Sequence, residues 1–158
     1  MIPILNQATL LFPSKSSNEA FARATAACFA AQLDPTLDEL GDIKTAVSEA
    51  VTNAIVHAYP ADLGVVTVRL RILEGRLFEV TVKDKGVGIP DVAKAREPLY
   101  TTGDDSRSGM GFTIMESFMD YLRVRSVPGK GTTVTLRKRI LPRQGGPRQS
   151  GPHPGGEA

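Results

Sequence analysis

The residues from Ile43 to Ala58 constrain the fold of this chain more than any other stretch. Ile43, Val47, Ala50, Val51, Ala54, Ile55 and Ala58 recur at three- and four-residue spacing. That period draws one apolar stripe along an amphipathic helix, and the stripe requires a hydrophobic layer to lie on. Thr45, Glu49, Asn53 and His57 step by four along another face, so a carboxylate and a carboxamide stand one turn apart. A solvated face more commonly carries Lys and Glu in ion-pairing order. Here there is a lone acid, an amide and small hydroxyls. Taken alone, the spacing describes a plain surface stripe as well as it describes a face turned to a ligand.

At 158 residues the chain has the length of one ordinary domain, sufficient to bury a core without staples. A hydrophobic content of 41% and a charged content of 23% are globular values, and no apolar run reaches the length of a membrane span. Cys28 is the single cysteine, which excludes an intrachain disulfide and a cysteine-built metal site. The N-terminus has neither a basic segment nor a long apolar segment of the secretory kind, so a cytoplasmic setting is expected. A net charge of +2 is close to balance. The one basic cluster, Arg137-Lys138-Arg139, ends a strand-like run and reads as a solvated edge, so neither direct nucleic-acid binding nor membrane binding is expected.

In chain order, Ala8 to Phe12 reads as a short strand closed by Pro13 and a Ser/Asn cluster. A helix follows from about Glu19 to Leu33, with Ala20, Phe21, Ala24, Ala27, Cys28 and Ala31 on its expected inner side and Arg23 off that stripe. Asp34-Pro35 ends it, and the long helix runs from about Thr36 to Tyr59 before Pro60. Val65 to Leu73 alternates with period two, Glu74-Gly75 turns, and Arg76 to Asp84 returns with Phe78, Val80 and Val82 inward. Asp84 shares their parity, so a carboxylate is aimed at the interior, where it is costly without a partner. Lys85-Gly86-Val87-Gly88 then permits turns and close backbone approach. A short helix is expected over Val92 to Glu97, followed by a small-residue, polar loop from Pro98 to Ser108 of the kind that forms lids. Gly109-Met110-Gly111 opens a helix with Ile114, Met115, Phe118 and Met119 expected in the core. Its N-terminal amides suit a phosphate. Tyr121 to Val127 and Thr132 to Lys138 form a last pair of strands around Pro128-Gly129-Lys130-Gly131. From Leu141 the tail is rich in Pro, Gly, Gln and Arg and is expected to be disordered, which gives a folded unit over 1–140 and a tail over 141–158.

Three polar pieces therefore converge: the Glu49/Asn53 face, the inward Asp84 with its glycine turn, and the helix start at Gly109. A carboxylate in a dry pocket suits an exocyclic amine, a glycine turn admits a flat base, and amides suit phosphates, so the combination reads as a nucleotide pocket. The Asn53 amide oxygen suits Mg²⁺ among phosphates. Glu49, one turn away, is placed to orient or deprotonate a hydroxyl nucleophile.

Ser48-Glu49-Ala50-Val51-Thr52-Asn53-Ala54 resembles the asparagine box of the gyrase, heat-shock chaperone, histidine-kinase and mismatch-repair (GHKL) ATPase superfamily. Asp84-Lys85-Gly86-Val87-Gly88 and Arg107-Ser108-Gly109-Met110-Gly111-Phe112 resemble its first and second glycine boxes. More narrowly, Ala46 to Ile55 and Ser108 to Glu116 resemble the anti-sigma F factors, a family of serine-protein kinases of spore-forming bacteria. The likeness covers about residues 8 to 140. It implies an α+β fold, a two-layer sandwich with a mixed, mostly antiparallel sheet covered on one face by helices. It also implies ATP or ADP with Mg²⁺, a homodimer, a sigma factor held away from RNA polymerase, and an anti-anti-sigma factor phosphorylated on serine. By position, the resemblance makes Asn53 the Mg²⁺ ligand, Glu49 the base, Asp84 the adenine reader, and Gly86, Gly88, Gly109, Met110 and Gly111 nucleotide contacts. Thr101, Thr102 and Ser108 line the lid, Arg107 senses the terminal phosphate or the protein substrate, and Arg23 joins Arg107 as a partner contact. The lid departs from the family pattern: Thr101-Thr102 is followed by Gly103-Asp104-Asp105 instead of Lys-Pro, and the segment before Arg107 is one residue shorter. The Pro/Gly-rich tail is a second departure.

Three other readings share the pocket: a histidine-kinase catalytic domain, a general-stress anti-sigma kinase, and a nucleotide-gated module that binds its partner without catalysis. The first lacks room for a dimerising helical hairpin before Ala8, and His57 lies on the binding helix, where packing or pocket lining suits it better than phosphoacceptance. Retention of Glu49 speaks against the last.

Overall fold

In the computed structural model, which describes residues 1–98 and 110–143, five strands form a sheet in the order β1-β2-β3-β5-β4. They are β1 Ile4–Pro13, β2 Val65–Leu73, β3 Leu77–Asp84, β4 Tyr121–Val127 and β5 Gly131–Arg139. Every ladder is antiparallel, so the expected mixed sheet is antiparallel throughout the described residues. The helices are α1 Asn18–Ala30, continued by a 3₁₀ turn Ala31–Leu33, then α2 Leu37–Val56, α3 Val92–Ala95 and α4 Gly111–Phe118. No described helix is long and apolar enough to cross a membrane.

The spine of the helical layer is α2. Thr36 starts it with a capping box: its hydroxyl accepts from the Glu39 amide at 3.1 Å, and the Glu39 carboxylate accepts from the Thr36 amide at 2.9 Å. The stripe expected from the sequence is buried along its length, from Ile43 through Ala58, and α2 packs on α1, on α4 and on the sheet. From the sheet, Val66, Val68, Leu70, Phe78, Val80, Val82, Val134 and Leu136 close the core against it. Asp84 lies on this same face, in register with Val66.

The inner face of α1 differs from the expectation. Ala22, Ala26, Ala27 and Ala30 are buried, whereas Phe21 is 55% exposed and Ala20, Ala24, Cys28 and Ala31 also face outward. In an alanine-rich helix, small residues fall on every side, so period alone does not select a face. The Ala22-Ala26-Ala30 row allows close packing against α2, and the bulky Phe29 finds the ring of Phe78 with centroids 6.5 Å apart. On α4, Met115 and Met119 are buried as expected, joined by Phe112, while Phe118 is exposed and Ile114 half-buried. β1 is longer than expected because ladder pairing with β2 extends it to Ile4.

Arg137-Lys138-Arg139 is not an edge. β5 is paired on both sides, and β4 and β1 are the edges. Its cations are engaged within the fold: Lys138 pairs with Asp42 at 3.3 Å, and Arg139 donates to the Gly75 carbonyl at 2.6 Å. Arg137 binds Glu79 at 2.8 Å and lies over the Tyr121 ring. Of the segment from Leu141, residues 141–143 are described, with the Leu141 amide donating to Glu39 and Arg143 to the Pro35 carbonyl. The rest of the tail expected over 141–158 lies outside the described residues.

On the face of the sheet away from the helices, Glu79 is 3% exposed and surrounded by Arg137, Arg71 at 3.8 Å and Arg69 at 4.0 Å. Removing that carboxylate leaves three cations facing one another. Glu79→Gln is expected to lower the unfolding free energy by about 1–3 kcal/mol, below the full worth of a broken buried pair because the arginines are partly solvated. Urea denaturation of the two proteins measures it, and an unchanged midpoint would show that the arginines find equivalent partners in water.

Candidate functional site

The polar stripe of α2 meets the start of α4. Glu49 and Asn53 are half-buried, and neither side chain has a hydrogen-bond partner among the described residues. Gly111, the first residue of α4, faces both. A methyl group there would stand 3.3 Å from Glu49 Oε2 and 3.4 and 3.6 Å from the Asn53 amide atoms. Glycine at this place lets the helix N-terminus lie close against the two polar side chains, where a larger residue would press on Glu49. Met110 precedes it as the cap, with no side chain capping the helix. The first-turn amides, which a helix leaves without intrahelical partners, and the α4 dipole suit an anion.

Asp84 forms the second part of the site. It is 7% exposed, and Oδ1 accepts from the amides of Gly86 at 3.0 Å and Thr132 at 3.2 Å. Desolvation by burial raises its pKa above the ordinary carboxylate value, and these two amide donors offset the rise only in part. Among the described residues both bonds go to the same oxygen, which leaves Oδ2 as an acceptor for a donor entering the site.

The glycine turn after Asp84 is held by close approach on both sides. A Cβ at Gly86 would lie 2.1 Å from the Ala58 carbonyl oxygen, and one at Gly88, whose φ is +76°, would lie 2.5 Å from the Val127 carbonyl oxygen. Only glycine fits at either place. The Val87 amide donates to Ala58 at 2.9 Å, the Gly129 amide to Val87 at 2.7 Å, and the Ile89 amide to Ser126 Oγ at 2.7 Å.

The structure therefore brings Glu49, Asn53 and Gly111 together, and it puts Asp84, Gly86 and Gly88 into one turn docked on the end of α2. Arg23 is apart from them on α1, ion-paired with Glu19 at 3.2 Å. Thr101, Thr102, Arg107, Ser108 and Gly109 lie outside the described residues. Thr132 and Ser126 belong to the site and were not singled out from the sequence. Their hydroxyls are 2.8 Å apart, and Thr132 anchors Asp84. The signal was present: Thr132 shares the inward parity of Val134 and Leu136, as Asp84 shares that of Val82. A separate cleft bordered by Glu39, Tyr121, Arg137 and Lys138 lies near the start of α2 and holds none of the candidate residues.

Residues 12–138 match the family model of the histidine kinase-like ATPase domain. A protein of Geobacillus kaustophilus called anti-sigma F factor is 57% identical over 137 residues, which cover 85% of this chain and 93% of the relative. One of the same name from Caldanaerobacter subterraneus is 56% identical over 136 residues, covering 85% and 94%. The chain belongs to the anti-sigma F factor family. Among solved structures it is similar to the RsbU and RsbW domains of a Mycobacterium tuberculosis protein, with a TM-score of 0.64 at 20% identity over 85% of this chain and 32% of that one. It is also similar to a blue-light activated histidine kinase of Erythrobacter litoralis, with a TM-score of 0.56 at 25% identity over 74% and 40%. The family fold is thus the one seen here, a helical layer on an antiparallel sheet.

The raised pKa of Asp84 gives a prediction with a definite sign. The folded protein holds this proton more tightly than the unfolded chain, so the ionised group costs stability above its folded pKa, and the cost disappears as pH falls to the ordinary carboxylate value. Asp84→Asn keeps an acceptor for the Gly86 and Thr132 amides without the charge. It is expected to melt higher than the parent at pH 7–8, with the difference closing toward pH 4, while adenine-nucleotide binding weakens by about 1–3 kcal/mol. Thermal melts across pH and calorimetry with ADP check both halves.

Proposed function

We propose that this protein is an ATP-dependent serine-protein kinase that holds a sporulation sigma factor of the F type away from RNA polymerase. In this reading its kinase substrate is an anti-anti-sigma factor, and phosphorylation on serine inactivates that factor. The observation that carries the proposal is the close approach of the first turn of α4, at Gly111, to the side chains of Glu49 and Asn53. In this reading the helix-start amides hold a polyphosphate beside a metal-ligating amide and a carboxylate. Asp84, on the same side of the sheet, supplies the acceptor for the adenine amine.

Magnesium fits the donor set. No group of three or more His, Cys, Asp or Glu side chains is gathered among the described residues, and Mg²⁺ at a nucleotide characteristically takes few protein oxygens and completes its shell with phosphates and water. Bound Mg²⁺ would neutralise charge on the phosphates. Asn53 would hold it through Oδ1, and the α4 amides would hold the phosphates. Glu49 would accept the proton of the attacking serine hydroxyl, since its carboxylate lies beside Asn53 at the start of α4. Gly109, Met110 and Gly111 would approach the phosphates by backbone, with Thr101, Thr102 and Ser108 lining the lid. Arg107 would meet the terminal phosphate or the substrate serine, and Arg23 on α1 would contact the partner proteins.

A homodimer belongs to the same reading. β1 is a ten-residue edge strand with Leu5 and Leu11 65% and 67% exposed, and an apolar edge of that length is a template for a second copy.

Two substitutions test the assignment. Glu49→Gln is expected to slow single-turnover phosphorylation of the anti-anti-sigma protein by about 10²–10⁴-fold, the usual worth of general acid–base help, and to leave nucleotide affinity and sigma binding nearly unchanged. Asn53→Ala is expected to abolish the magnesium dependence of ATP binding in a titration with a folded variant. Equal rates for Glu49→Gln and its parent would remove Glu49 as the base. A parent protein that phosphorylates no partner would leave a nucleotide-gated binding module in place of the kinase.

A further inference from the structure

Tyr59 stands just beyond the C-terminal end of α2 and ties that end to the turn carrying Asp84. Its hydroxyl accepts from the Lys85 amide at 2.7 Å and donates to the Val65 carbonyl at 2.8 Å. One phenol thus bridges the residue immediately after Asp84 and the first residue of β2. Its ring is fixed as well. A Cβ at Gly64 would lie 2.1 Å from Tyr59 Cε1, so the chain passes the ring where only glycine fits, and Gly64 is itself held by Ser14, whose amide and hydroxyl bond its carbonyl and amide at 2.8 and 2.9 Å. One residue earlier, the Ala58 carbonyl receives the Val87 amide.

These bonds have a common geometrical effect. Asn53 and Glu49 belong to α2, while Asp84 belongs to β3, and the two ends of the site are coupled where Ala58 and Tyr59 grip Lys85 and Val87. Asp84 also bonds the Gly86 amide, which lies between the two gripped amides. The direction of the carboxylate therefore follows the orientation of this short backbone segment.

We propose that Tyr59 is a positioning residue for adenine recognition. It acts through the Lys85 amide to aim Asp84 and to set its spacing from the phosphate end of the site. The inference rests on the reading of this site as an adenine-nucleotide pocket. Among the described residues the hydroxyl bonds Lys85 and Val65, and neither belongs to the phosphate end, so its effect falls on recognition of the base. Loss of the hydroxyl frees the Lys85 amide and lets the Asp84 turn relax, whereas Gly111, Asn53 and Glu49 keep their arrangement.

Tyr59→Phe removes the oxygen alone and keeps the ring over Gly64. The expected result is a loss of ADP affinity of about 2- to 10-fold, the scale of one ordinary hydrogen bond, and a fall in the preference for ATP over GTP. Binding of inorganic tripolyphosphate with Mg²⁺ should stay within about twofold of the parent, because that ligand uses only the phosphate end. Lys85 should lose amide-exchange protection while the core strands keep theirs. An unchanged ADP affinity and ATP/GTP ratio in the folded variant overturns the positioning role. Equal losses for ADP and tripolyphosphate overturn it too, since they would mark Tyr59 as general scaffolding. If the parent binds tripolyphosphate and discriminates no base, the adenine reading of the pocket falls and this inference falls with it. Tyr59→Leu, which removes ring and hydroxyl together, is expected to lower thermal stability and ADP affinity both, and the Phe variant separates the two effects.

Discussion

The structure depends on the burial of one face of α2. Its apolar stripe lies between α1, α4 and the sheet with Ile43, Ala46, Val47, Ala50 and Val51 fully excluded from water, and burial on that scale contributes more than any polar contact in the molecule. Rotation of α2 about its axis would expose part of this stripe, so packing fixes the azimuth of the helix. The azimuth in turn fixes where Glu49 and Asn53 point. A hydrophobic interaction with no directional character of its own thus sets the direction of the polar groups beside it.

A second, smaller constraint works against stability. Asp84 is held on the interior side of the sheet, where desolvation disfavours its charge, and two backbone amides compensate that cost incompletely. Groups retained at such a cost are characteristic of sites, where an acceptor poorly solvated by water is strongly used by a ligand. Glycines surround it for a related reason. At Gly86 and Gly88 the backbone of one segment lies against the carbonyl of another, and the turn reaches α2 and the β4–β5 hairpin at the same time. The Glu79 cluster on the opposite face shows a different treatment of a buried carboxylate, in which three guanidinium groups surround it and no acceptor is left for a ligand.

The family of the chain and the architecture of the site bear on function together. The anti-sigma F relatives match nearly their whole length to this chain, and the described residues of the boxes carrying the resemblance lie in the two places where the structure gathers polar groups. The sequence departs from that pattern in the segment after Thr102.

The sequence by itself determined the elements whose patterns are one-sided. The α2 stripe, β2 and β4 to the residue, the inward parity of Asp84 and the glycine turn after it are legible because each has one apolar face, or one residue type that alone satisfies the backbone. Period could not resolve α1, where alanine occurs on every side and only the fit against α2 decided that Ala22, Ala26 and Ala30 turn inward and Phe21 outward. Strand order was likewise decided in three dimensions. A basic triplet suggested an edge, but β5 is inserted between β3 and β4, and its cations meet Asp42, Glu79 and Gly75, residues remote in sequence. The coupling of Tyr59 to Lys85 and of Thr132 to Asp84 belongs to the same class. Local sequence carries the period and the backbone permissions of a segment, whereas a hydrogen bond between segments exists only once packing has brought their ends together.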